Sequence, residues 1–189
     1  MWIDPLESAR LYLAGLAGLH LRRRIRREEM DWLLQRSPPV EYPAGRVVLR
    51  QGEPADAALL VVHGAFEVVV TTPGGGERVL GTAGPWDVLG ETALYAPDRP
   101  RGATVRATRD STALIVGRTL LQQGRDNAAV VAIEYHLLHT LTERIRVTNQ
   151  ALHEAWVDFD GATGPAVPPK KSASRARLLD LVGGGRNGG

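Results

Sequence analysis

A mainly β fold, a sandwich or jelly roll carried between helices, is what this sequence predicts. Three observations predict it. From Val40 to Gly117, short runs rich in Val, Leu and Thr alternate with Gly and Pro punctuation. Before and after that stretch the pattern turns helical. The chain has 189 residues, 43% hydrophobic and 23% charged, enough to bury one sizeable core with appendages.

Residues 1–37 read as an N-terminal helical segment. Asp4-Pro5 is a cap followed by a first-turn proline. Gly15, Gly18 and His20 weaken the helix that follows, so a break is expected there, with a second helix through Arg27 to Leu34. Ser37-Pro38-Pro39 ends it. Residues 38–117 carry the β fold, with strands at Arg46–Arg50, Ala57–Val62, Ala65–Thr71, Arg78–Leu80, Thr104–Thr108 and Thr112–Val116. Pro73-Gly74-Gly75-Gly76 is a hairpin tip, and repeated short strands with such turns indicate a sandwich or jelly roll.

Residues 118–157 are helical again. Arg118–Gln123 makes a short turn of helix, and Asn127 caps a long one reaching about Trp156. Val131, Leu138, Leu141, Ile145, Leu152 and Ala155 fall on one seam with heptad spacing, interrupted by Glu134 and Thr148. Such a seam either pairs with a second copy of the chain or lies on its own barrel. Its length exceeds what a small barrel covers, which favours a homodimer. Residues 158–189 form a Gly/Pro-rich basic tail in which only Ser174–Val182 has helical character.

Composition excludes several functions. A formal charge of +2 is too small to argue for nucleic acid, although the pI is about 9.3. Glu28, Glu29 and Asp31 follow Arg22-Arg23-Arg24-Ile25-Arg26-Arg27 at once, so that run reads as a solvated helix face. Lys170-Lys171 through Arg177 reads as a basic tail. The absence of cysteine removes disulfides, thiolate metal sites and a cysteine nucleophile, and fits a cytoplasmic location. Leu11 to Leu21 is apolar but too short to span a membrane, and its charged flanks are inverted for a signal peptide. His136 and His139 share a helix face, yet no third ligand is near in sequence, so they read as surface residues and neither metal nor cofactor is expected. His63 is the only histidine between Val40 and Gly117, which argues against a metal-dependent enzyme on a jelly roll. Gly74–Gly76 lacks the Lys-Ser or Lys-Thr of a Walker loop. No enzyme is expected.

The informative segment is Leu89-Gly90-Glu91-Thr92-Ala93-Leu94-Tyr95, followed by Arg99-Pro100-Arg101-Gly102-Ala103-Thr104-Val105. Gly90 lets the backbone turn sharply and approach a ligand. Residues 91–95 can form one helical turn whose free N–H groups face an anion. Arg101 supplies a charged fork for two phosphate oxygens, and Glu91 an acceptor for a sugar hydroxyl. Gly102 and Ala103 are small enough for their N–H groups to come into contact. On these residues alone two readings stand: a pocket for a phosphate joined to a ribose, or a tight turn in which Glu91 and Arg101 pair with each other.

Gly90, Glu91, Arg101, Ala103 and Thr104, with Gly102 at the variable position, resemble the phosphate-binding cassette of the cyclic nucleotide-binding domain family. That family includes bacterial catabolite activators and the regulatory subunits of cyclic AMP-dependent protein kinase. Tyr42-Pro43-Ala44-Gly45, Gln51-Gly52-Glu53-Pro54 and His63-Gly64-Ala65-Phe66 resemble its early strands and turns in order, so the likeness covers about residues 22–156. The resemblance implies a β-roll with N-terminal helices and a long C-terminal helix. Glu91 would bond the ribose 2′-hydroxyl, Arg101 the cyclic phosphate, and the N–H groups of Thr92, Ala93 and Gly102 would add donors. Gly102 lacks the hydroxyl found near this position in cyclic GMP-selective members, which points to cyclic AMP over cyclic GMP. Arg144-Ile145-Arg146-Val147-Thr148-Asn149 is similar to the stretch that reads adenine across the catabolite activator dimer, so Thr148 and Asn149 would contact the base. Trp86 stands where the family has a glycine before an acidic residue; a bulky side chain resists positive φ, so that turn is expected to differ. Leu89 replaces a phenylalanine.

The reading is a stand-alone sensor that signals through helix movement to an unidentified protein partner. The alternatives are a ligand-responsive transcription regulator without the usual helix-turn-helix, for which residues 158–189 are too few, or an assembly module whose pocket is degenerate.

Overall fold

Helix α1 (Pro5–His20) opens on Asp4, whose carboxylate accepts from the Leu6 N–H at 3.4 Å. It runs unbroken through Gly15 and Gly18 and breaks only after His20, the last of the three positions expected to weaken it. The reason lies outside the helix. A Cβ on Gly15 would stand 2.2 Å from the Trp86 ring, so the glycine makes room for that ring. Burying Tyr12, Leu13, Leu16 and Ala17 then outweighs a propensity loss of about 1 kcal/mol per glycine. Helix α2 (Arg27–Arg36) is capped by Glu29, which accepts from the Arg26 N–H at 2.8 Å, and stops before Pro38-Pro39.

The structure, a computed structural model, describes residues 4–21, 23–96 and 98–163. Eight strands follow the two helices: β1 (Val40–Tyr42), β2 (Val47–Leu49), β3 (Ala57–His63), β4 (Phe66–Thr71), β5 (Glu77–Ala83), β6 (Val88–Leu89), β7 (Thr104–Ala107) and β8 (Ser111–Gly117). A short helix α3 (Thr92–Tyr95) lies between β6 and β7, and α4 (Arg118–Gln123) and α5 (Ala128–Thr163) follow β8. The strands form two four-stranded sheets, in the orders β1-β8-β3-β6 and β2-β7-β4-β5. Every pairing is antiparallel. This is the β-roll with flanking helices that the sequence predicts. β1 and β6 are additional to the strands that the sequence pattern predicts. They are too short to show a period, and exist because β8 and β3 offer them edges.

β3 explains the layering. Its Leu59 and Val61 point between the sheets, toward Phe66, Leu89, Val105 and Ala113. Ala58, Leu60 and Val62 point the other way, against α1, α2, α4 and the first turns of α5. Both faces of this strand are covered, so it reads as a continuous apolar run rather than an alternation. Asn127 caps α5 as expected, its Oδ1 accepting from the N–H groups of Ala129 and Val130. The buried side of the early helix is Val130, Ile133, His136 and Leu137.

Three further expectations are corrected. Trp86 does adopt positive φ, at 78°. Asp87 N–H donates to the Gly84 carbonyl at 3.0 Å across Pro85-Trp86, which makes a type II turn with Trp where glycine is usual. The indole is held by stacking on Tyr12, centroids 4.6 Å apart, and this offsets the backbone strain. His136 is not a surface residue; it is 7% exposed and faces α1. Helix α5 passes Trp156 and reaches Thr163, into the region expected to be tail. The chain divides into two units, one through Ile145 and one from Arg146. The described part of the second is the remainder of α5, with Thr148 and Asn149 both exposed.

The arginine run is corrected as a helix face, since Arg23 to Arg26 lie between α1 and α2 and only Arg27 is helical; acid does lace it, Arg23 and Arg26 pairing with Glu29, and Arg27, like Arg10, with Asp31. Arg22, Lys170-Lys171, Arg177 and the Ser174–Val182 segment lie outside the described residues. Among the described residues no helix is long and apolar enough to cross a membrane.

Candidate functional site

A cavity of about 420 Å³ opens between the two sheets at the end of β6. Its walls come from β2, β4, β5, β6, α3, β7 and the Arg144 side chain of α5. The apolar part is Leu49, Val68, Leu80, Ala83, Leu89 and Val105. The polar part is the segment singled out from the sequence: Gly90, Glu91, Thr92, Arg101, Gly102 and Ala103 all line it.

Gly90 sets the geometry. Its φ is 71°, and a Cβ there would stand 2.6 Å from Nη1 of Arg101 and 3.0 Å from Cδ1 of Leu49. Glycine at 90 therefore allows the turn and lets Arg101 lie against the backbone. Nη1 of Arg101 donates to the Gly90 carbonyl at 3.2 Å, and Nη2 to Oδ1 of Asp56 at 3.3 Å. Arg101 is 8% exposed, whereas the Asp56 side chain is almost wholly in solvent. A buried guanidinium thus meets one long carbonyl bond and one well-solvated carboxylate, which leaves its charge available to an anion.

Glu91, 6% exposed, is tied elsewhere: Nη1 of Arg144 donates to its Oε1 at 2.6 Å. Nη2 of Arg144 donates to the Val88 carbonyl, also at 2.6 Å. The alternative in which Glu91 and Arg101 pair only with each other is therefore corrected, since each has its own partner. Helix α3 begins right after Glu91 and contains Thr92 and Ala93. Thr104 does not line the cavity; its Oγ1 accepts from the Gln51 N–H at 3.1 Å and holds β7 to the turn after β2. Thr148 and Asn149 belong to the second unit.

Sequence reasoning missed Asp56 and Arg144 as site residues. Their partners lie 45 and 53 residues away along the chain. The only signal available was that Arg144 heads the stretch ending in Thr148-Asn149. Tyr12 has its hydroxyl pushed up in pKa by burial and by the charge of Asp87, which lines the cavity, so it stays neutral.

Residues 39–128 match the family model described as cyclic nucleotide-binding domain. A CRP-like cAMP-activated global transcriptional regulator of Mycobacterium tuberculosis is 28% identical over 120 residues, covering 64% of this chain and 52% of the relative. The cAMP-dependent protein kinase regulatory subunit of Dictyostelium discoideum is 34% identical over 105 residues, covering 54% of this chain and 32% of that one. Among solved structures, the Thermus thermophilus catabolite activator protein superposes with a TM-score of 0.55 at 28% identity, covering 86% of this chain and 70% of that one. The chain spans about half the length of the first relative.

Proposed function

Since residues 39–128 belong to the cyclic nucleotide-binding domain family, we propose that the chain is a regulatory module that holds a cyclic mononucleotide, cyclic AMP ahead of cyclic GMP. The observation that carries this reading is Arg101: a buried arginine in a cavity wall, with solvent-exposed Asp56 as its carboxylate partner among the described residues. A singly charged cyclic phosphate completes that environment, with the N–H groups of Thr92, Ala93 and Gly102 as further donors. Glu91 takes the ribose 2′-hydroxyl. The apolar wall of Leu49, Val68, Leu80 and Ala83 leaves room for a flat base, in a volume ordinary for small-ligand sites. Thr148 and Asn149 of a second copy would contact the base, as the family likeness implies.

Arg144 gives the site an output. It bonds both Glu91 and the Val88 carbonyl from α5, so a hydroxyl arriving at Glu91 competes with the helix for the same carboxylate. Occupancy then biases the position of α5, which is the differential contact a switch requires. Leu138, Ile145 and Leu152 recur every seven residues on α5, the last two 61% and 57% exposed, and support pairing with a second copy. The helix movement is read by that copy or by a protein partner; the role is binding and regulation, not catalysis.

Calorimetric titration with each nucleotide, together with thermal unfolding, tests this. At about a hundred times its dissociation constant, cyclic AMP should add about 2.7 kcal/mol to stability. Arg101→Ala should weaken binding by roughly 30-fold or more, the cost of removing one member of a buried charge-assisted pair. Absence of heat with either nucleotide, over several temperatures, refutes the reading.

A further inference from the structure

His136 and His139, one turn apart on α5, gain a third histidine from the other end of the fold: His20, the last residue of α1. Nε2 of His20 stands 3.2 Å from Nδ1 of His136. The centroid of the His20 ring lies 5.4 Å from that of His136 and 5.8 Å from that of His139. Two nitrogens bound tetrahedrally to one zinc-sized ion, at about 2.0–2.1 Å each, stand roughly 3.3 Å apart. The spacing of the first pair already matches.

His136 is also oriented from behind. Its Nε2 lies 2.7 Å from the Trp86 carbonyl oxygen. A carbonyl only accepts, so Nε2 carries the proton, and Nδ1 of the neutral ring presents its lone pair toward His20. An imidazole whose far nitrogen donates to a backbone carbonyl is the arrangement that fixes metal-ligating histidines. Among the described residues no three such side chains already surround one point. His139 is exposed and free to turn, so it is the ring that completes the set.

We propose that His20, His136 and His139 take up one divalent transition metal of the zinc class, His20 and His136 as a pre-set pair and His139 swinging in as the third ligand. Three neutral nitrogen donors suit zinc, cobalt or nickel rather than calcium or magnesium, which take oxygen. The ion would clamp the end of α1 to α5. The Trp86 carbonyl that orients His136 belongs to the turn just before Asp87, so the clamp lies behind the cavity and not within it. The inference does not depend on which nucleotide the cavity holds.

The test uses the full chain stripped with a chelator and titrated with Co²⁺, followed by its visible absorption, and with Zn²⁺, followed by calorimetry and thermal unfolding. One equivalent should bind, with a rise in the unfolding midpoint. His139→Ala, at an exposed position, and His20→Ala should each weaken uptake by ~10-fold or more, while His63→Ala and His153→Ala should leave it unchanged. Metal-free unfolding midpoints of the variants show whether each still folds. No absorption band and no shift in the wild type, or uptake equal in wild type, His139→Ala and His20→Ala, overturns the proposal. Loss of nucleotide binding with metal uptake intact would count against the nucleotide reading alone.

Discussion

Arg144 is the residue on which the site and the long helix both depend. Removing it leaves Glu91, 6% exposed, without its cation and frees the Val88 carbonyl. A buried charged group left unsatisfied costs about 1–3 kcal/mol or more, so Arg144→Ala should lower the unfolding free energy by an amount in that range, as urea unfolding would show. Arg144→Lys should recover only part, because one ammonium cannot span both acceptors as the fork does. Glu91 and Arg101 were legible in the sequence because type and local spacing name them: a glycine that can turn, an acid beside it, an arginine ten residues on. Arg144 was not. On an amphipathic pattern nothing separates Arg144 from Arg146, and only the fold decides which one reaches Val88 and Glu91.

At the scale of the element, the Gly84–Asp87 turn and α1 form one fitted unit. Gly18→Ala, where an added Cβ meets nothing within 4 Å, should stabilise by about 0.5–1 kcal/mol through helix propensity alone. Gly15→Ala should destabilise, because the gain of similar size is smaller than the cost of moving the Trp86 ring. In a Trp86→Gly background the backbone strain and the clash both vanish, so Gly15→Ala should turn stabilising. Chemical denaturation of the four proteins in that cycle gives the coupling, and additivity within about 0.5 kcal/mol would refute the fit. Here the sequence misled for a physical reason. Gly15 looked like a helix breaker and Trp86 like a broken turn, and each is explained only by the other, 71 residues away (86 − 15). Strands β3, β4 and β8 were visible as runs; β1 and β6 borrow their existence from neighbours. Glu29 joins elements too, capping α2 and accepting from the Ala128 N–H at 3.3 Å at the start of α5. Burial alone would raise its pKa, but bonds from Arg23, Arg26 and Ala128 outweigh it and hold the value at about 2, against the ordinary 4.5. A depressed folded pKa means stabilisation that is complete above pH 4.5 and lost as pH falls toward 2. The stability gap between wild type and Glu29→Gln should therefore close over that window, as urea midpoints at each pH would show.

For the whole molecule, α5 is the element to test. Leu152→Glu places a charge in the exposed apolar seam without touching the cavity residues. Sedimentation should then shift from dimer to monomer, and a monomeric wild type would remove the pairing from the reading. The sheet order carries a last consequence, for the newborn chain. β1 lies beside β8, with Val40 opposite Ala113. The sheet edge therefore has to wait for 73 further residues to be synthesised (113 − 40), which at ribosomal rates of about 5–20 residues per second is roughly 4–15 s. Through that interval the apolar run of β3 lacks its β8 neighbour. A nascent chain stalled before Ser111 should be held by chaperones, and one released with α4 and α5 complete should not.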